Sequence, residues 1–382
     1  MSKWQHSPKP GMYAIAQLQT YPIRALQAIR QIASWLKKRS LWSNISLFLL
    51  GAGISIAIAA CSSSNASTAP KPNVTLKLVS YSVTQAAYEQ IVPKFVEKWK
   101  KEHNQSVTIN QNFGGSGSQT RAVIDGLQEA DVVHLSLALD TYKIQQAGLI
   151  KPGWEKKFPK SGVLTRSVVA LVTREGNPKG IKTWEDLTQD GLTIITANPK
   201  TSGIAIWNFL ALWGSVTQAG SEDTKAQDFT TKVYKNVPVL ATNAREGSDL
   251  FFNQGKGDVL LTYEDEVILA QQNGSKLSYI VPDVNISIDN PVAVVDKNVD
   301  KHGTREVAEA FVDFLYSTEA QQEFAKLGYR PVNPSVIAEV AQNHPQIKTL
   351  FTVQDLGGWD TVQNKFFAEG AIFDKIQVAS KL

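Results

Sequence analysis

Asn198-Pro199-Lys200-Thr201-Ser202-Gly203 is the stretch of sequence that joins a short apolar run to a longer run with helical periodicity. Residues 192–195 predict a buried strand before it, and the apolar residues at positions 207–213 predict an amphipathic helix after it. Either Thr201 or Ser202 would cap that helix. The first turn of a helix directs free backbone N–H groups and the positive end of the helix dipole at one point. The stretch is therefore a candidate anion site, and an ordinary capped helix is the alternative.

Junctions of this kind recur along the chain. Small or hydroxylated residues separate a predicted strand from a predicted helix in five turns, at residues 80–84, 114–118, 200–203, 242–245 and 262–264. Strands that alternate with helices predict an α/β fold with mostly parallel sheets, and such sheets bind ligands beyond the carboxyl ends of their strands. Five helix starts, each with about half a positive charge, together approach the charge of a dianion. The sequence therefore predicts one anion site assembled from several turns.

The charge and composition of the N-terminal part indicate a targeting segment. The chain carries 39 basic and 35 acidic residues, but residues 1–60 hold seven of the basic residues and none of the acidic ones, which leaves a formal charge of −3 on the remainder. A basic run, Lys37-Lys38-Arg39, precedes an apolar stretch at residues 47–60 that is short for a membrane span. Nothing in this pattern indicates a nucleic-acid-binding protein.

Cys61 follows this apolar stretch directly and is the only cysteine of the chain. A single cysteine after small apolar residues resembles a bacterial lipoprotein signal, in which that cysteine is lipidated and becomes the new N-terminus. We therefore expect a periplasmic protein that is anchored to a membrane through the lipid on Cys61. A conventional signal peptide that is cleaved nearby is the alternative.

The predicted mature chain is long enough for two lobes. A continuous apolar strand at residues 168–173 is placed to cross from one lobe to the other, and the cleft between the lobes would hold the ligand. The predicted divisions are a leader at 1–60, a flexible tether at 61–73, the first part of lobe 1 at 74–166, lobe 2 at 167–285, and the return to lobe 1 with the C-terminal helices at 286–382.

Motifs of several enzyme classes are incomplete in this chain. Gly114-Gly115-Ser116-Gly117-Ser118 lacks the final glycine of a nucleophile elbow, and no glycine-rich loop ends in Gly-Lys-Ser or Gly-Lys-Thr. The five histidines lack metal-ligand spacing. Glu264-Asp265-Glu266 is interpreted as a solvated first helical turn, with an acidic metal patch as the alternative. We expect no catalysis, no cofactor and no metal, and an enzyme that acts on sulfate or phosphate esters is the alternative of another class.

From about residue 76 to the C-terminus, the chain resembles the periplasmic sulfate-binding proteins that feed ABC transporters. The segments that carry the resemblance are Ser80-Tyr81-Ser82, Gly114-Gly115-Ser116-Gly117, Asn198-Pro199-Lys200-Thr201-Ser202-Gly203, Trp207-Asn208, Gly257-Asp258-Val259-Leu260 and Tyr329-Arg330-Pro331. The resemblance implies a two-lobed periplasmic-binding-protein fold of type II-like architecture, with the ligand in the interlobe cleft. It also implies an extracytoplasmic monomer that captures sulfate, or thiosulfate, and delivers it to ABC permease subunits. Phosphate and molybdate are the alternative ligands.

Members of that family hold bare sulfate largely through main-chain N–H groups. The resemblance implies that the donors here are five backbones and one hydroxyl, namely the backbones of Ser82, Ser116, Gly203, Ile204 and Ala244 and the side chain of Ser202. Tyr263 stands where some members donate an indole N–H, so its hydroxyl is the corresponding group. Many members also read Gly-Gly-Ala-Arg-Trp where this chain reads Gly203-Ile204-Ala205-Ile206-Trp207. A glycine and an arginine beside the ligand are thus both isoleucine here.

Overall fold

The computed structural model describes residues 71–382. The predicted leader, most of the predicted tether and Cys61 lie outside the described residues. Within the described range, no helix is both long enough and apolar enough to cross a membrane.

Strands and helices alternate along most of the described chain. The strands are β1 (Lys71–Tyr81), β2 (Gln105–Gly114), β3 (Val132–His134), β4 (Val163–Ser167), β5 (Val169–Thr173), β6 (Ile194–Ala197), β7 (Leu240–Ala241), β8 (Val259–Tyr263), β9 (Ser278–Ile280), β10 (Val284–Ile286), β11 (Ile288–Val294), β12 (Arg330–Pro331) and β13 (Thr349–Phe351). The α-helices are α1 (Gln85–His103), α2 (Ser116–Ile124), α3 (Ala138–Gln146), α4 (Gly203–Thr217), α5 (Asp223–Lys235), α6 (Ala244–Phe252), α7 (Glu264–Gln272), α8 (Asp296–His302), α9 (Arg305–Leu315), α10 (Thr318–Lys326), α11 (Pro334–Val340), α12 (Gly358–Val362) and α13 (Ile372–Ser380). This alternation confirms the predicted α/β class.

The strands form two main sheets of mixed direction. The first sheet has the order β12-β4-β11-β3-β1-β2, and the second has the order β7-β6-β8-β5-β9. β1 is parallel to β2 and β3, and β6 is parallel to β7 and β8. β11 is antiparallel to β3 and β4, and β5 is antiparallel to β8 and β9. The expectation of mostly parallel sheets is therefore wrong, because β5 and β11 enter their sheets from the other half of the molecule and not through a helical crossover.

We call the layer built on the first sheet lobe 1 and the layer built on the second sheet lobe 2. The chain passes from β4 of the first sheet to β5 of the second with one residue between them. After β13, the C-terminal segment packs on lobe 2, where α13 contacts α5 and the ring of Phe373 lies 5.7 Å from that of Tyr234. The lobe boundaries given above from the sequence stay a prediction.

A helix follows each of the five predicted turns. A 3-10 turn at Ser82–Thr84 leads into α1, and α2, α4, α6 and α7 begin at Ser116, Gly203, Ala244 and Glu264. The turns after β1 and β2 belong to lobe 1, and the turns after β6, β7 and β8 belong to lobe 2. Contacts between the two groups of turns are therefore contacts between the lobes.

Helix α4, which follows the stretch at residues 198–203, is buried on all sides. Residues 203–215 are all buried, because the C-terminal segment covers the face that points away from the sheet. The ring of Trp207 lies 5.2 Å from that of Trp359, and the ring of Trp213 lies 4.9 Å from that of Phe366. The prediction of an amphipathic helix is wrong for this reason, since a helix that is apolar all round belongs in a core.

Candidate anion-binding site

Three of the predicted turns contact one another through their backbones. A methyl group in place of an α-hydrogen of Gly115 would lie 2.4 Å from the carbonyl oxygen of Thr201 and 3.1 Å from that of Thr242. The Thr201 hydroxyl donates to the Thr242 carbonyl at 2.7 Å, and the Ser118 N–H donates to the Thr201 carbonyl at 3.2 Å. Gly115 and Ser118 belong to lobe 1, whereas both threonines belong to lobe 2. Glycine at position 115 therefore allows the two lobes to approach this closely.

The other two turns reach the same place through side chains. The hydroxyl of Tyr263, which ends β8, lies 2.6 Å from the hydroxyl of Ser136, which follows β3. The ring of Tyr81, at the end of β1, lies 5.8 Å from the ring of Tyr263. Arg245, in the first turn of α6, reaches the carbonyl of Val83 at 3.5 Å. All five predicted turns thus meet at the boundary between the lobes.

The predicted ligand-binding residues lie at this boundary and are buried. They are Ser82, Ser116, Ser202, Gly203, Ile204, Ala244 and Tyr263. Three of them begin helices, and the first N–H groups of a helix have no acceptor within that helix. Because buried N–H groups need a partner, the helix starts at Ser116, Gly203 and Ala244 are suited to hold a buried anion. The assignment of these residues as ligands stays a prediction.

The start of α7 differs from the other helix starts. The N–H of Glu264 donates to the carbonyl of Val168 at 3.1 Å, so the first donor of this helix is already satisfied. The group that this turn presents at the boundary is the hydroxyl of Tyr263. Burial raises the pKa of Tyr263 well above its usual value, and the phenol therefore keeps its proton at neutral pH.

Ser202 occupies the N-cap position of α4, but its hydroxyl makes no capping hydrogen bond. Thr201 does not cap the helix either, because its hydroxyl donates to the carbonyl of Thr242. The predicted side-chain cap is therefore wrong, since the Thr201 hydroxyl joins two turns instead. Ser202 is only 3% exposed. Its uncommitted hydroxyl is thus a further donor for a buried anion.

Ser136 joins the two lobes, and no turn or motif in the sequence marks it. Its N–H donates to the Ser116 hydroxyl at 3.1 Å, and its carbonyl accepts from Trp207 Nε1 at 3.0 Å and Asn290 Nδ2 at 2.9 Å. A methyl group on Gly203 would lie 2.3 Å from both Cβ and Oγ of Ser136. Ser136 is therefore fixed between the starts of α2 and α4.

The hydroxyl of Ser116 is committed to the protein. It donates to the carboxyl of Asp140 at 2.7 Å and accepts from the N–H of Ser136. Burial raises the pKa of Asp140 above its usual value, against the opposing effect of Lys143, whose Nζ lies 3.5 Å from the carboxyl. The group that Ser116 can offer to an anion is therefore its backbone N–H, as the family resemblance implies.

A groove of about 350 Å³ runs along the boundary beside Ser202. Ile206, the residue that replaces an arginine of many relatives, lines this groove together with Arg121, Lys143 and Lys200. Asp140, Glu369 and Asp374 line the same groove, and Lys143 and Lys200 pair with Asp140 at 3.5 Å and Asp374 at 3.0 Å. The groove therefore has no excess of basic side chains to replace an arginine at the position of Ile206.

The three acidic residues at the start of α7 are buried, and each has a partner. The partners are Arg330 for Glu264, Ser167 for Asp265, and Ser248 with Arg245 for Glu266. The prediction of a solvated first turn is therefore wrong, because partners distant in sequence satisfy these carboxyl groups. Across residues 71–382, no group of three or more His, Cys, Asp or Glu side chains is arranged to hold a metal ion.

The ion pair between Glu264 and Arg330 crosses from one lobe to the other. Nε of Arg330 lies 2.7 Å from Oε2 of Glu264, and Nη2 lies 3.0 Å from Oε1. Arg330 belongs to β12 of lobe 1, whereas Glu264 follows β8 of lobe 2. The Glu264 side chain is fully buried, and the Arg330 side chain is 22% exposed. This bidentate pair therefore ties the lobes together directly behind Tyr263.

We expect the ionisation of Asp265 to destabilise the folded protein as the pH rises from about 4 to 8, against the opposite trend of buried His134, whose pKa burial lowers to about 3. Burial raises the pKa of its carboxyl from 3.8 to about 8, opposed by the hydrogen bond from Ser167 and assisted by the charge of Glu266. A carboxyl with a raised pKa stabilises the fold while it is protonated. That contribution is fully present below pH 4 and is lost toward pH 8, by up to about 1.4 kcal/mol per pH unit.

The variant Asp265→Asn keeps an acceptor for Ser167 but cannot ionise. The melting temperature of the wild type should therefore fall relative to that of Asp265→Asn as the pH rises from 5 to 8. Asp289→Asn, at an exposed carboxyl, is the matched control and should follow the wild type. Parallel melting profiles for wild type and Asp265→Asn would show that Asp265 is ionised throughout this range.

The chain is similar in sequence to known solute-binding proteins. Residues 76–330 match the model of a family described as bacterial extracellular solute-binding protein. The chain is 59% identical over 327 residues to the sulfate-binding protein of Synechococcus elongatus, and this alignment covers 85% of this chain and 93% of that protein. It is 37% identical over 301 residues to the thiosulfate-binding protein of Pseudomonas aeruginosa, and this alignment covers 78% of this chain and 90% of that protein.

A solved structure shows a similar fold. The sulfate-binding protein SubI from Mycobacterium tuberculosis H37Rv superposes on this chain with a TM-score of 0.71 and 34% sequence identity. The superposition covers 77% of this chain and 99% of SubI. The two-lobed type II architecture that the sequence predicts is confirmed by this likeness.

Proposed function

Because the chain belongs to the family of bacterial extracellular solute-binding proteins, we propose that it captures sulfate outside the cytoplasm and delivers it to the permease of an ABC transporter. In this proposal it acts as a monomer and carries out no catalysis. The observation that carries the proposal is that three turns contact one another between the lobes and lead into buried helix starts at Ser116, Gly203 and Ala244. The names of the sulfate-binding relatives support the same ligand.

The groups that the boundary offers are hydrogen-bond donors, and this favours an ion that only accepts. Backbone N–H groups donate, and the free hydroxyl of Ser202 donates as well. Sulfate carries no proton near neutral pH, whereas phosphate carries at least one and needs an acceptor for it. The buried carboxyl of Asp140 already accepts from Ser116. Thiosulfate is also an unprotonated tetrahedral dianion, and the thiosulfate-binding relative supports it as a second ligand.

We expect the affinity for sulfate to be unchanged between pH 5 and 8. Neither sulfate nor the proposed donors change protonation in this range, since main-chain N–H groups and serine hydroxyls do not titrate there. The affinity at each pH is measured by titration with sulfate in buffers of matched ionic strength. The signal is either the heat of binding or the fluorescence of the buried tryptophans. Phosphate is the matched control ligand and should not displace sulfate at equal concentration. An affinity that follows a titration near pH 7, or displacement by phosphate, would contradict the sulfate proposal.

Cys61 is proposed to hold the protein at a membrane through a lipid. The sequence around it supports this proposal, because small apolar residues precede it and a serine-rich tether follows it. We expect Cys61→Ser to lose labelling by a radioactive fatty acid and to move from the membrane fraction to the soluble fraction, or to accumulate unprocessed. Ser62→Ala is the matched control and should keep both properties. Unchanged labelling of Cys61→Ser would contradict the lipid anchor.

A further inference from the structure

We propose that Ser136 is a further ligand-binding residue, which receives a hydrogen bond from Tyr263 and donates its own proton to the bound anion. The proposal rests on the proposed function and adds to it a donor that the family resemblance does not supply. Ser136 belongs to lobe 1 and Tyr263 to lobe 2, so the pair forms only when the lobes are together.

A count of protons supports this role. The two hydroxyl oxygens lie 2.6 Å apart, so one of their two protons lies between them. The other proton has no acceptor among residues 71–382. Solvent does not reach it, because Ser136 is 0% exposed and Tyr263 is 1% exposed. A buried hydroxyl that lacks an acceptor is unfavourable, and an anion at this boundary would supply one.

The surroundings of Ser136 direct this second proton toward the helix starts. Its N–H and its carbonyl are both committed, to Ser116 Oγ and to the side chains of Trp207 and Asn290. Its Cβ and Oγ lie close to Cα of Gly203, since a methyl group added to Gly203 would be 2.3 Å from both atoms. The hydroxyl of Ser136 therefore lies beside the first N–H groups of α4, which are among the proposed anion donors.

The charge state of the pair fits a donor. Burial raises the pKa of Tyr263 well above its usual value, so the phenol keeps the proton that it donates to Ser136. When the phenol of Tyr263 donates to Ser136, the proton of the Ser136 hydroxyl is the one left for the anion.

The test is calorimetric titration with sulfate of the wild type and of Ser136→Ala, Tyr263→Phe and the double variant. We expect Ser136→Ala to weaken binding about tenfold, the usual effect of one lost hydrogen bond to a charged group. Tyr263→Phe should weaken it less, because Ser136 still donates. The double variant should bind like Ser136→Ala alone, since the two hydroxyls act in series. Melting temperatures without sulfate separate these effects from loss of folding.

A rescue variant distinguishes a donor from a packing role. Ser136→Ala/Tyr263→Trp removes the serine hydroxyl and brings an indole N–H across the gap, so it should recover most of the wild-type affinity. Full affinity of Ser136→Ala, or a double variant that loses the sum of both single effects, would overturn the inference. If the wild type itself fails to bind sulfate, the proposed function fails as a whole. If the wild type binds and Ser136→Ala binds equally well, only this inference fails.

Discussion

Gly203→Ala is expected to lower the affinity for sulfate by about a hundredfold, equivalent to about 2.7 kcal/mol. The added methyl group would lie 2.3 Å from Cβ and Oγ of Ser136 and 2.8 Å from Cδ2 of Leu137. Non-bonded carbon atoms do not approach so closely, and overpacking of this kind costs about 1–3 kcal/mol. Gly203 belongs to lobe 2 and the atoms that it meets belong to lobe 1. The methyl group therefore holds the lobes apart, and the anion loses donors from one side.

The free energy of unfolding should change little in Gly203→Ala, because each lobe keeps its own core when the boundary opens. Gly247→Ala is the matched control, since its methyl group would lie 3.6 Å from Cδ1 of Leu260 and 3.8 Å from Cβ of Ala241, at ordinary contact distance. It should keep full affinity, and its helical position favours alanine. Calorimetry and thermal unfolding measure both effects. Wild-type affinity in Gly203→Ala would mean that sulfate does not need Gly203 and Ser136 in contact.

Arg330→Ala is expected to weaken sulfate binding more than a hundredfold. Removal of one partner from a buried ion pair costs about 3–5 kcal/mol, because it leaves the other charge buried without compensation. Here the stranded charge is Glu264, which is fully buried at the start of α7 and would keep the imidazole of His344, with Nδ1 3.2 Å from Oε2, beside it. When the lobes separate, water can solvate Glu264, so most of the cost falls on the closed form. The expected result is a large loss of affinity with a smaller loss of stability.

The chain offers a control on the adjacent strand. Arg166 pairs with Arg330 in the β4–β12 ladder and makes its own ion pair with Asp289 at 2.8 Å, but both side chains are more than a third exposed. Arg166→Ala should therefore change affinity and stability by less than about 1 kcal/mol. Equal titration curves for Arg330→Ala and Arg166→Ala would contradict a role for the Glu264–Arg330 pair in closing the lobes.

The fold class and the five turns could be predicted from local sequence, because strand and helix periodicity and turn composition are properties of neighbouring residues. Residues 198–203 show this, since a strand precedes them and a helix begins at Gly203. The burial of α4 could not be predicted in the same way. The residues that cover it, such as Trp359 and Phe366, come from the end of the chain.

The unpredicted parts of the candidate site depend on partners that are distant in sequence. Ser136 lies in an apolar segment without turn chemistry, and its importance comes from its contacts with Tyr263 and Gly203 in the other lobe. The buried state of Glu264 depends on Arg330 in the same way. No local pattern contains such pairs, because they form only when the two sheets are brought together.

Calorimetric titration of the purified protein with sulfate, thiosulfate, phosphate and molybdate at pH 7 is the most direct test of the proposed anion capture. Sulfate should bind one ion per chain with the highest affinity, thiosulfate should compete with it, and phosphate should bind weakly because it brings a proton without an acceptor. Preferred binding of phosphate or molybdate, or no binding of sulfate, would contradict the assignment of this boundary as a sulfate site.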